Sequence, residues 1–340
     1  MVRLGKLMAL RAAKALQLQR IMLSSSWRES RLLILCYHGV SLDDEHVWNP
    51  FLYVSAQQFR SRLELLRRLD CNVVSLTEGV ERLYAGTLPP RSVVLTFDDG
   101  FFDFYHRAWP LLNEFGYPAT VYLATYYAEF NRPVFDLMFR YLLWKARGAK
   151  LHWPEVTGAD VLLNDEGRQR ATEAVDALCK SKALSEPEKD ELLSEVAARL
   201  DVNLKELSER RVLHLMRGQE LRQVVSGRTN IELHTHRHQV FPDRARFCQE
   251  IEQNREAIHS LVQYDPKHFC YPSGVVMDGF PAWLKQFGVA SATTCEPGIA
   301  SRDRDPMLLP RILDSTYMTE DEYISWITGL GAFLPRRRSA

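Results

Sequence analysis

Short apolar runs rich in β-branched residues alternate along the chain with longer stretches in which apolar residues recur every three or four positions. The short runs predict buried strands and the periodic stretches predict helices. This alternation of strand and helix predicts an α/β fold with a parallel sheet or barrel. The predicted strands are residues 31–37, 72–75, 93–97, 119–124, 231–233, 268–271 and 290–294. The predicted helices are residues 56–69, 76–84, 103–115, 244–262, 280–287 and 320–327.

Residues 131–228 break this alternation. Leucine and charged residues at helical spacing dominate there, and we predict helices over residues 188–200 and 206–216. We interpret this stretch as a helical insertion that forms a lid over the open end of a barrel, the alternative being a peripheral packing element. The predicted organisation is a basic helix over residues 1–30, a barrel over 31–130 and 229–328, the insertion over 131–228, and a basic tail over 329–340.

Two polar stretches follow predicted strands. Thr96-Phe97-Asp98-Asp99-Gly100 comes at the end of one strand, and His234-Thr235-His236-Arg237-His238 follows another. In α/β folds the carboxyl ends of the strands carry the chemistry. Two histidines four residues apart can bind a metal together with one carboxylate and leave positions open for water and substrate. Either stretch alone could be an ordinary turn, but together they predict a shared metal site.

These stretches resemble the motifs of polysaccharide deacetylases of the NodB-homology type, carbohydrate esterase family 4. The first two motifs are specific, and the later ones are weaker. A Tyr-His pair near the start, Tyr37-His38, resembles the opening of the exopolysaccharide-processing branch. The resemblance extends from residue 31 to about residue 328, interrupted by the insertion. The matching stretches, in chain order, are residues 35–39, 96–100, 234–238, 269–274 and 309–312.

The resemblance implies a distorted (β/α)7-type barrel and a hydrolase that removes N-acetyl groups from an amino sugar in a polysaccharide or lipid-linked glycan. It implies one divalent metal ion, most simply zinc, held by Asp99, His234 and His238. Asp98 is then the general base that takes a proton from a water molecule. Residues expected to contact or orient the substrate are His38, Thr235, Tyr271, Pro272, Ser273 and Gly274, whereas His236 is expected to make a structural contact.

Two departures from the family pattern concern the catalytic groups. Cys270 stands where the third motif usually carries the arginine that holds the base, and no histidine follows His268 to act as the usual general acid. Arg311 is the candidate replacement for the missing guanidinium. Asp314, or an imidazole such as His38, is the candidate proton donor. These assignments leave the predicted metal ligands and base unchanged.

Two alternative functions are weighed against the deacetylase. One is another amide hydrolase of the same fold, such as a deformylase-like enzyme, and the other is a carbohydrate-binding protein that retains the metal without catalysis. The intact Asp98 beside a complete ligand set argues against the binding protein, because a binding protein needs no base. The chain has 43 basic and 43 acidic side chains, and this zero net charge gives no field for nucleic acid, so no nucleic-acid partner is expected.

The ends of the chain are basic. Residues 1–31 carry seven basic side chains in an amphipathic pattern without the apolar core of a secretory signal, and Arg336–Arg338 lie near the other end. We expect a cytoplasmic protein with weak peripheral association with an anionic membrane surface, the alternative being that the apolar face packs on the barrel. The six cysteines lack paired spacing and are interpreted as small buried residues in a reducing compartment.

Overall fold

The computed structural model describes residues 18–225 and 228–334. Its strands are β1 (Leu33–Tyr37), β2 (Gly39–Val40), β3 (Tyr53–Val54), β4 (Asn72–Val73), β5 (Ser92–Phe97), β6 (Ala119–Leu123), β7 (Lys150–Leu151), β8 (Val161–Leu162), β9 (Thr229–Leu233), β10 (His268–Cys270), β11 (Ser291–Thr293) and β12 (Ile312–Leu313).

The helices match the predicted ones closely outside the insertion. They are α1 (Leu18–Leu23), α2 (Ser26–Glu29), α3 (Glu45–Trp48), α4 (Ala56–Arg68), α5 (Leu76–Ala85), α6 (Trp109–Phe115), α7 (Thr125–Ala128), α8 (Phe135–Lys145), α9 (Pro154–Thr157), α10 (Asp165–Lys182), α11 (Glu186–Arg199), α12 (Leu204–Glu209), α13 (Gly218–Val225), α14 (Arg244–Val262), α15 (Phe280–Gln286) and α16 (Glu320–Thr328). A π-helical segment, Phe104–Ala108, leads directly into α6.

One parallel sheet organises the protein. Seven strands run in the order β11-β10-β9-β6-β5-β1-β12, and β4 pairs with the start of β5. A parallel bridge between Thr293 and Leu309 connects β11 to the segment that leads into β12, so the sheet curls back on itself. The predicted α/β barrel, (β/α)7-like and distorted, is therefore confirmed.

Side chains of alternate parity face opposite sides of this sheet. Odd-numbered residues such as Leu35, Leu95 and Phe97 pack in the main core with α4, α6 and α14. Even-numbered residues from β5, β6 and β10 instead meet around Arg311, whose guanidinium contacts Thr96, Tyr122 and Cys270. Since these strands are spread around the sheet, this face is the interior of the barrel. Asp98 and His234 have the same parity and follow the carboxyl ends of β5 and β9, so both are directed toward it.

The insertion has a hydrophobic core of its own. Helices α8, α10 and α11 pack around residues such as Trp153, beside a two-stranded antiparallel sheet of β7 and β8 that the helical pattern did not predict. Leu42, Trp48 and Leu52, from the loop after β1, pack on the same core. The insertion therefore lies against a loop at the carboxyl edge of the sheet, and its role as a lid stays a prediction.

The predicted helix over residues 206–216 is wrong in its second half. Helix α12 ends at Glu209, and the backbone then turns through positive φ at Arg211 and Leu213. The apolar run that follows makes extended contacts with the barrel instead, with bridges from His214 to Pro133 and from Leu215 to Phe101. The apolar spacing favours a helix here, but backbone pairing with distant residues determines the structure instead. We call residues 212–216 the return segment.

The barrel resumes before the predicted boundary at residue 229. Leu215 and Met216 of the return segment, and Leu221 and Val224 of α13, all belong to the main core. The insertion is therefore shorter than residues 131–228, because its last helix, α13, packs with the barrel.

The N-terminal helices that the structure describes pack at the amino end of the strands. Arg28 is fully buried, and its guanidinium donates hydrogen bonds to the carbonyl oxygens of Ile327 and Ser92. Leu23 enters the main core, whereas Leu18 and Ile21 are exposed. The remainder of the predicted basic helix and the arginines of the tail lie outside the described residues. Within residues 18–225 and 228–334, no helix combines the length and the apolar character that a membrane crossing requires.

A buried histidine at the start of β10 makes stability depend on pH. Burial, with a smaller effect from Lys267, lowers the pKa of His268 to about 4. The imidazole lies between Thr77 Oγ1 at 3.0 Å and Ser291 Oγ at 2.8 Å. Below the ordinary pKa of 6.5 the unfolded chain binds a proton that the folded chain does not, so the contribution of His268 to stability falls between pH 6.5 and pH 4.

We expect His268→Gln to flatten the pH dependence of the unfolding free energy relative to the wild type. The difference between the two proteins should change by up to about 3 kcal/mol from pH 7 to pH 4. Urea unfolding at a series of pH values measures it. Parallel curves for the two proteins would show that His268 is protonated as readily in the folded chain as in the unfolded one.

Candidate active site

The loop after β5 places two adjacent carboxylates in different surroundings. Asp99 has φ 67° and Gly100 has φ 88°, so the chain turns sharply directly after the strand. A Cβ at Gly100 would lie 2.4 Å from Leu123 Cδ1, so this position requires glycine. The return segment holds the loop from behind, because Met216 N donates to the Gly100 carbonyl at 2.9 Å. The turn directs Asp98 and Asp99 to different partners.

Asp99 faces the two predicted histidine ligands. Its Oδ1 lies 3.3 Å from His234 Nε2 and 3.2 Å from His238 Nε2. The same oxygen is buried and has no hydrogen-bond partner among the described residues. A buried carboxylate oxygen without a donor, beside two imidazole nitrogens, fits a divalent cation, and Asp and His are ligands that zinc accepts. These residues can therefore hold the implied ion.

The ring of His234 is oriented by its neighbours. Its Nδ1 lies 2.9 Å from the Cys270 carbonyl oxygen, so a proton on Nδ1 leaves the Nε2 lone pair directed at Asp99. Its backbone N–H donates to Asn254 Oδ1 at 2.8 Å, and Asn254 also donates to the Leu123 carbonyl. Sequence reasoning missed Asn254, although a polar residue on the apolar face of the helix at residues 244–262 was a visible signal.

Thr235 and His236 make contacts that stabilise the loop after β9. Thr235 is fully buried, and its hydroxyl accepts a hydrogen bond from Gln239 N at 3.2 Å, so it stabilises the turn that carries His238. The expectation that its hydroxyl orients the substrate stays a prediction. His236 Nδ1 lies 2.9 Å from Thr125 Oγ1, a structural contact as predicted.

Asp98 is paired with Arg311. The guanidinium Nη1 and Nη2 lie 2.7 Å and 2.8 Å from Asp98 Oδ1 and Oδ2, and both side chains are almost fully buried. Burial would raise the pKa of Asp98, but Arg311 holds it well below its usual range. Arg311 thus holds the Asp98 carboxylate, as the candidate replacement for the motif arginine would, and Cys270, which stands at the sequence position of that arginine, lies 3.0 Å from Arg311 Nη2.

The two candidate proton donors lie in different places. His38 Nε2 is 3.8 Å from Asp98 Oδ2, and its side chain is 18% exposed, so it reaches both the carboxylate and solvent. Asp314 is buried in a two-bond ion pair with Arg62, at 3.0 and 3.2 Å. Because both carboxylate oxygens are used by Arg62 away from the Asp99 cluster, the structure favours His38 over Asp314 as the donor.

The third-motif residues divide into two pairs. Tyr271 and Pro272 are buried and support the loop after β10, and their expected contact with a substrate stays a prediction. Ser273 is exposed, with φ 54°, and Gly274 is partly exposed beside Cys295. Of these four residues, only Ser273 and Gly274 are accessible at the surface of the site.

The two neighbouring histidines also affect the pKa of Asp99. Burial would raise the pKa of Asp99, but the neighbouring His238 and His234 lower it to about 2. Both carboxylates of the loop are therefore ionised near neutral pH. One is neutralised by a fixed guanidinium, and the other is directed at the two imidazoles.

Removing Arg311 should destabilise the fold. In Arg311→Met the Asp98 carboxylate remains buried without its cation, and loss of one partner from a buried pair costs about 3–5 kcal/mol. Thermal unfolding measures this loss. Arg62→Met is the matched control, because it breaks the similarly buried pair with Asp314. We expect comparable destabilisation in both variants but a fall in kcat only in Arg311→Met. An unchanged melting temperature for Arg311→Met would contradict the assigned pairing.

Comparison with known proteins finds deacetylases among those that the chain resembles. Residues 85–146 and 203–292 match the family model described as polysaccharide deacetylase. A curated relative from Escherichia coli (strain K12), poly-beta-1,6-N-acetyl-D-glucosamine N-deacetylase, is 31% identical over 102 residues, which is 30% of this chain and 15% of the relative. The protein of the same name from Staphylococcus aureus is 31% identical over 111 residues, 29% of this chain and 38% of the relative. The matches thus span well under half of these relatives.

Solved structures share the fold over most of the chain. The Streptococcus pyogenes deacetylase PplD, solved in complex with acetate, matches with a TM-score of 0.58 at 17% identity, covering 90% of this chain and 99% of that one. IcaB from Ammonifex degensii matches with a TM-score of 0.55 at 17% identity, covering 88% and 97%. At this identity the likeness establishes the fold, and it agrees with the NodB-type barrel predicted from the motifs.

Proposed function

We propose that the chain, whose residues 85–146 and 203–292 match the polysaccharide deacetylase family model, is a metal-dependent hydrolase that removes N-acetyl groups from an amino sugar. The observation that carries the proposal is the orphaned Asp99 Oδ1 between two imidazoles, next to an Asp98 carboxylate held separately by Arg311. One carboxylate is free to bind an ion, and the other is fixed as a base. The names of the two curated relatives support a polymer of N-acetylglucosamine as the substrate.

Asp99, His234 and His238 are the residues that would hold the ion, and zinc is the metal that their donor set suits best. When bound, a divalent ion polarises the amide carbonyl of the substrate and makes a water molecule more acidic.

Asp98 accepts the proton of the attacking water, since the paired Arg311 fixes its orientation while leaving lone pairs on both oxygens. As the proton leaves the water, Arg311 keeps the carboxylate from rotating away. His38, 3.8 Å from Asp98 Oδ2, is placed to pass a proton to the departing amine. Free acetate and a glucosamine-type amine are the products.

Acetate release tests the proposal. The full chain, loaded with one equivalent of zinc, is incubated with β-1,6-linked N-acetylglucosamine oligomers, with the matching N-formyl sugars, and with unrelated small N-acetyl amides. We expect acetate from the oligomers and much slower turnover of the other substrates. Faster release of formate from N-formyl sugars, or no release from any sugar, would contradict the proposed activity.

A further inference from the structure

Two loops at the carboxyl edge of the sheet carry exposed aromatic side chains that no step of the proposed chemistry uses. Phe51 is 63% exposed and Tyr317 is 46% exposed, and their ring centroids are 4.9 Å apart. Large apolar side chains are unfavourable in contact with water, so exposed rings that pack together are typical of a binding surface. We call Phe51 and Tyr317 the aromatic pair.

The backbone places the aromatic pair beside the segment that carries His38. The segment of Phe51 pairs with the residues that follow His38, because Gly39 N donates to the Leu52 carbonyl at 3.1 Å. Tyr317 follows β12, which pairs in parallel with β1, the strand directly before His38. Both rings therefore lie at the end of the barrel that carries the proposed proton donor.

Hydrogen bonds tie the two loops together, so the rings are held in place before a ligand binds. Thr316 N donates to the Pro50 carbonyl at 2.9 Å, and Thr316 Oγ1 donates to the Tyr53 carbonyl at 2.8 Å. From α4, Gln58 Nε2 donates to the Ser315 carbonyl at 2.9 Å. Side chains that are already ordered lose little conformational entropy when a ligand packs on them.

The strand order puts the aromatic pair in line with the proposed catalytic groups. The loops after β9, β5 and β1 carry His234, Asp98 and His38, in that order along the sheet, and β12 comes next. Adjacent strands lie about 5 Å apart, so β12 lies about 10 Å from β5. A polymer with its reacting unit at Asp98 therefore reaches the aromatic pair with the next one or two sugar rings.

Resting on the proposed function, we propose that the aromatic pair binds a sugar ring of the N-acetylglucosamine polymer, beyond the unit that loses its acetyl group. The C–H face of a pyranose ring is apolar and packs on an aromatic ring. An anionic lipid surface fits this place less well, because the first turn of α16, shortly after Tyr317, contains Glu320, Asp321 and Glu322. The aromatic pair therefore favours an oligomer over a single sugar as the substrate.

Calorimetric titration with β-1,6-linked N-acetylglucosamine dimers and pentamers tests the aromatic pair without measuring activity. The full chain is kept free of metal, so that the oligomers are not hydrolysed during the titration. We expect the wild type to bind the pentamer more tightly than the dimer. Phe51→Ala/Tyr317→Ala should raise the Kd for the pentamer about 10-fold, the effect of losing one aromatic contact, and should lose most of the gain from dimer to pentamer.

Phe333→Ala is the matched control. Phe333 is also 63% exposed and also packs on an aromatic ring, that of Trp27, but it lies beside the N-terminal helices at the other end of the strands. This variant should bind both oligomers as the wild type does, and circular dichroism verifies the fold of every variant.

The outcomes separate this proposal from its alternatives. A wild type that binds the pentamer no more tightly than the dimer, or a folded double variant that binds the pentamer as the wild type does, would overturn the role of the aromatic pair. Vesicles that contain phosphatidylserine test a lipid surface. Loss of vesicle binding in the double variant, with its pentamer affinity unchanged, would assign the aromatic pair to lipid and contradict the proposal. Pentamer binding that depends on the aromatic pair, without acetate release from the zinc-loaded chain, would count against the proposed function alone.

Discussion

Asp98→Asn is expected to lower kcat by about 10²–10⁴-fold, the usual contribution of a general base. Asparagine keeps the shape of the side chain but cannot accept the proton from water, and the proposed metal ligands Asp99, His234 and His238 are untouched. The rate of acetate release at saturating oligomer, with metal content determined on the same sample, measures the effect. A variant that turned over at the wild-type rate would make Asp98 a structural residue only.

Asp314→Asn is the matched control for this experiment. Both substitutions remove the anion from a buried ion pair, with Arg311 in one case and Arg62 in the other, so both should lower stability. Only Asp98→Asn should lower kcat strongly at a temperature where both variants are folded. An equal loss in Asp314→Asn would restore Asp314 as a catalytic acid and contradict the assignment to His38.

His234→Ala is expected to empty the site at Asp99 and to reduce catalysis to background. His234 supplies one of two nitrogen ligands, and its Nε2 orientation is fixed by the Cys270 carbonyl, so no neighbouring group takes its place. Elemental analysis after exchange into metal-free buffer measures occupancy.

His236→Ala is the control within the same loop. Its imidazole contacts Thr125 rather than Asp99, so this variant should retain its metal even if it loses some stability. Full occupancy in His234→Ala, or equal loss in both variants, would contradict the proposed ligand set.

The local sequence pattern was sufficient to predict which strand ends carry the residues of the site. The apolar runs before Asp98 and His234 predicted strands, and the ends of parallel strands meet at one edge of a sheet, so the two motifs had to come together. The absence of the motif arginine predicted a substitute, and Arg311 lies against Asp98 in the structure. Each of these predictions depended on residues close together in sequence or on a motif of known order.

The remaining features depend on contacts between distant residues. Asp314 is a candidate proton donor from the sequence alone, because its partner, Arg62, is 252 positions away. The return segment was assigned to a helix because its pairing with Phe101 and Pro133 leaves no local trace. Asn254 fixes a strand end from the middle of a helix. No local periodicity encodes such pairings, so these features emerge only when the chain is folded.

The position of Arg28 shows that the N-terminal helices and the site lie at opposite ends of the barrel strands. Arg28 contacts Ser92 at the amino end of β5, and Asp98 follows the carboxyl end of the same strand, about 20 Å away at 3.3 Å per residue. Any surface that held the chain by its N-terminal helices would therefore have the catalytic groups pointing outward from it. A sugar attached close to that surface would be out of reach, whereas a long, flexible glycan could bend back to the opening. Held in that way, the protein would act on the distal units of a growing polymer.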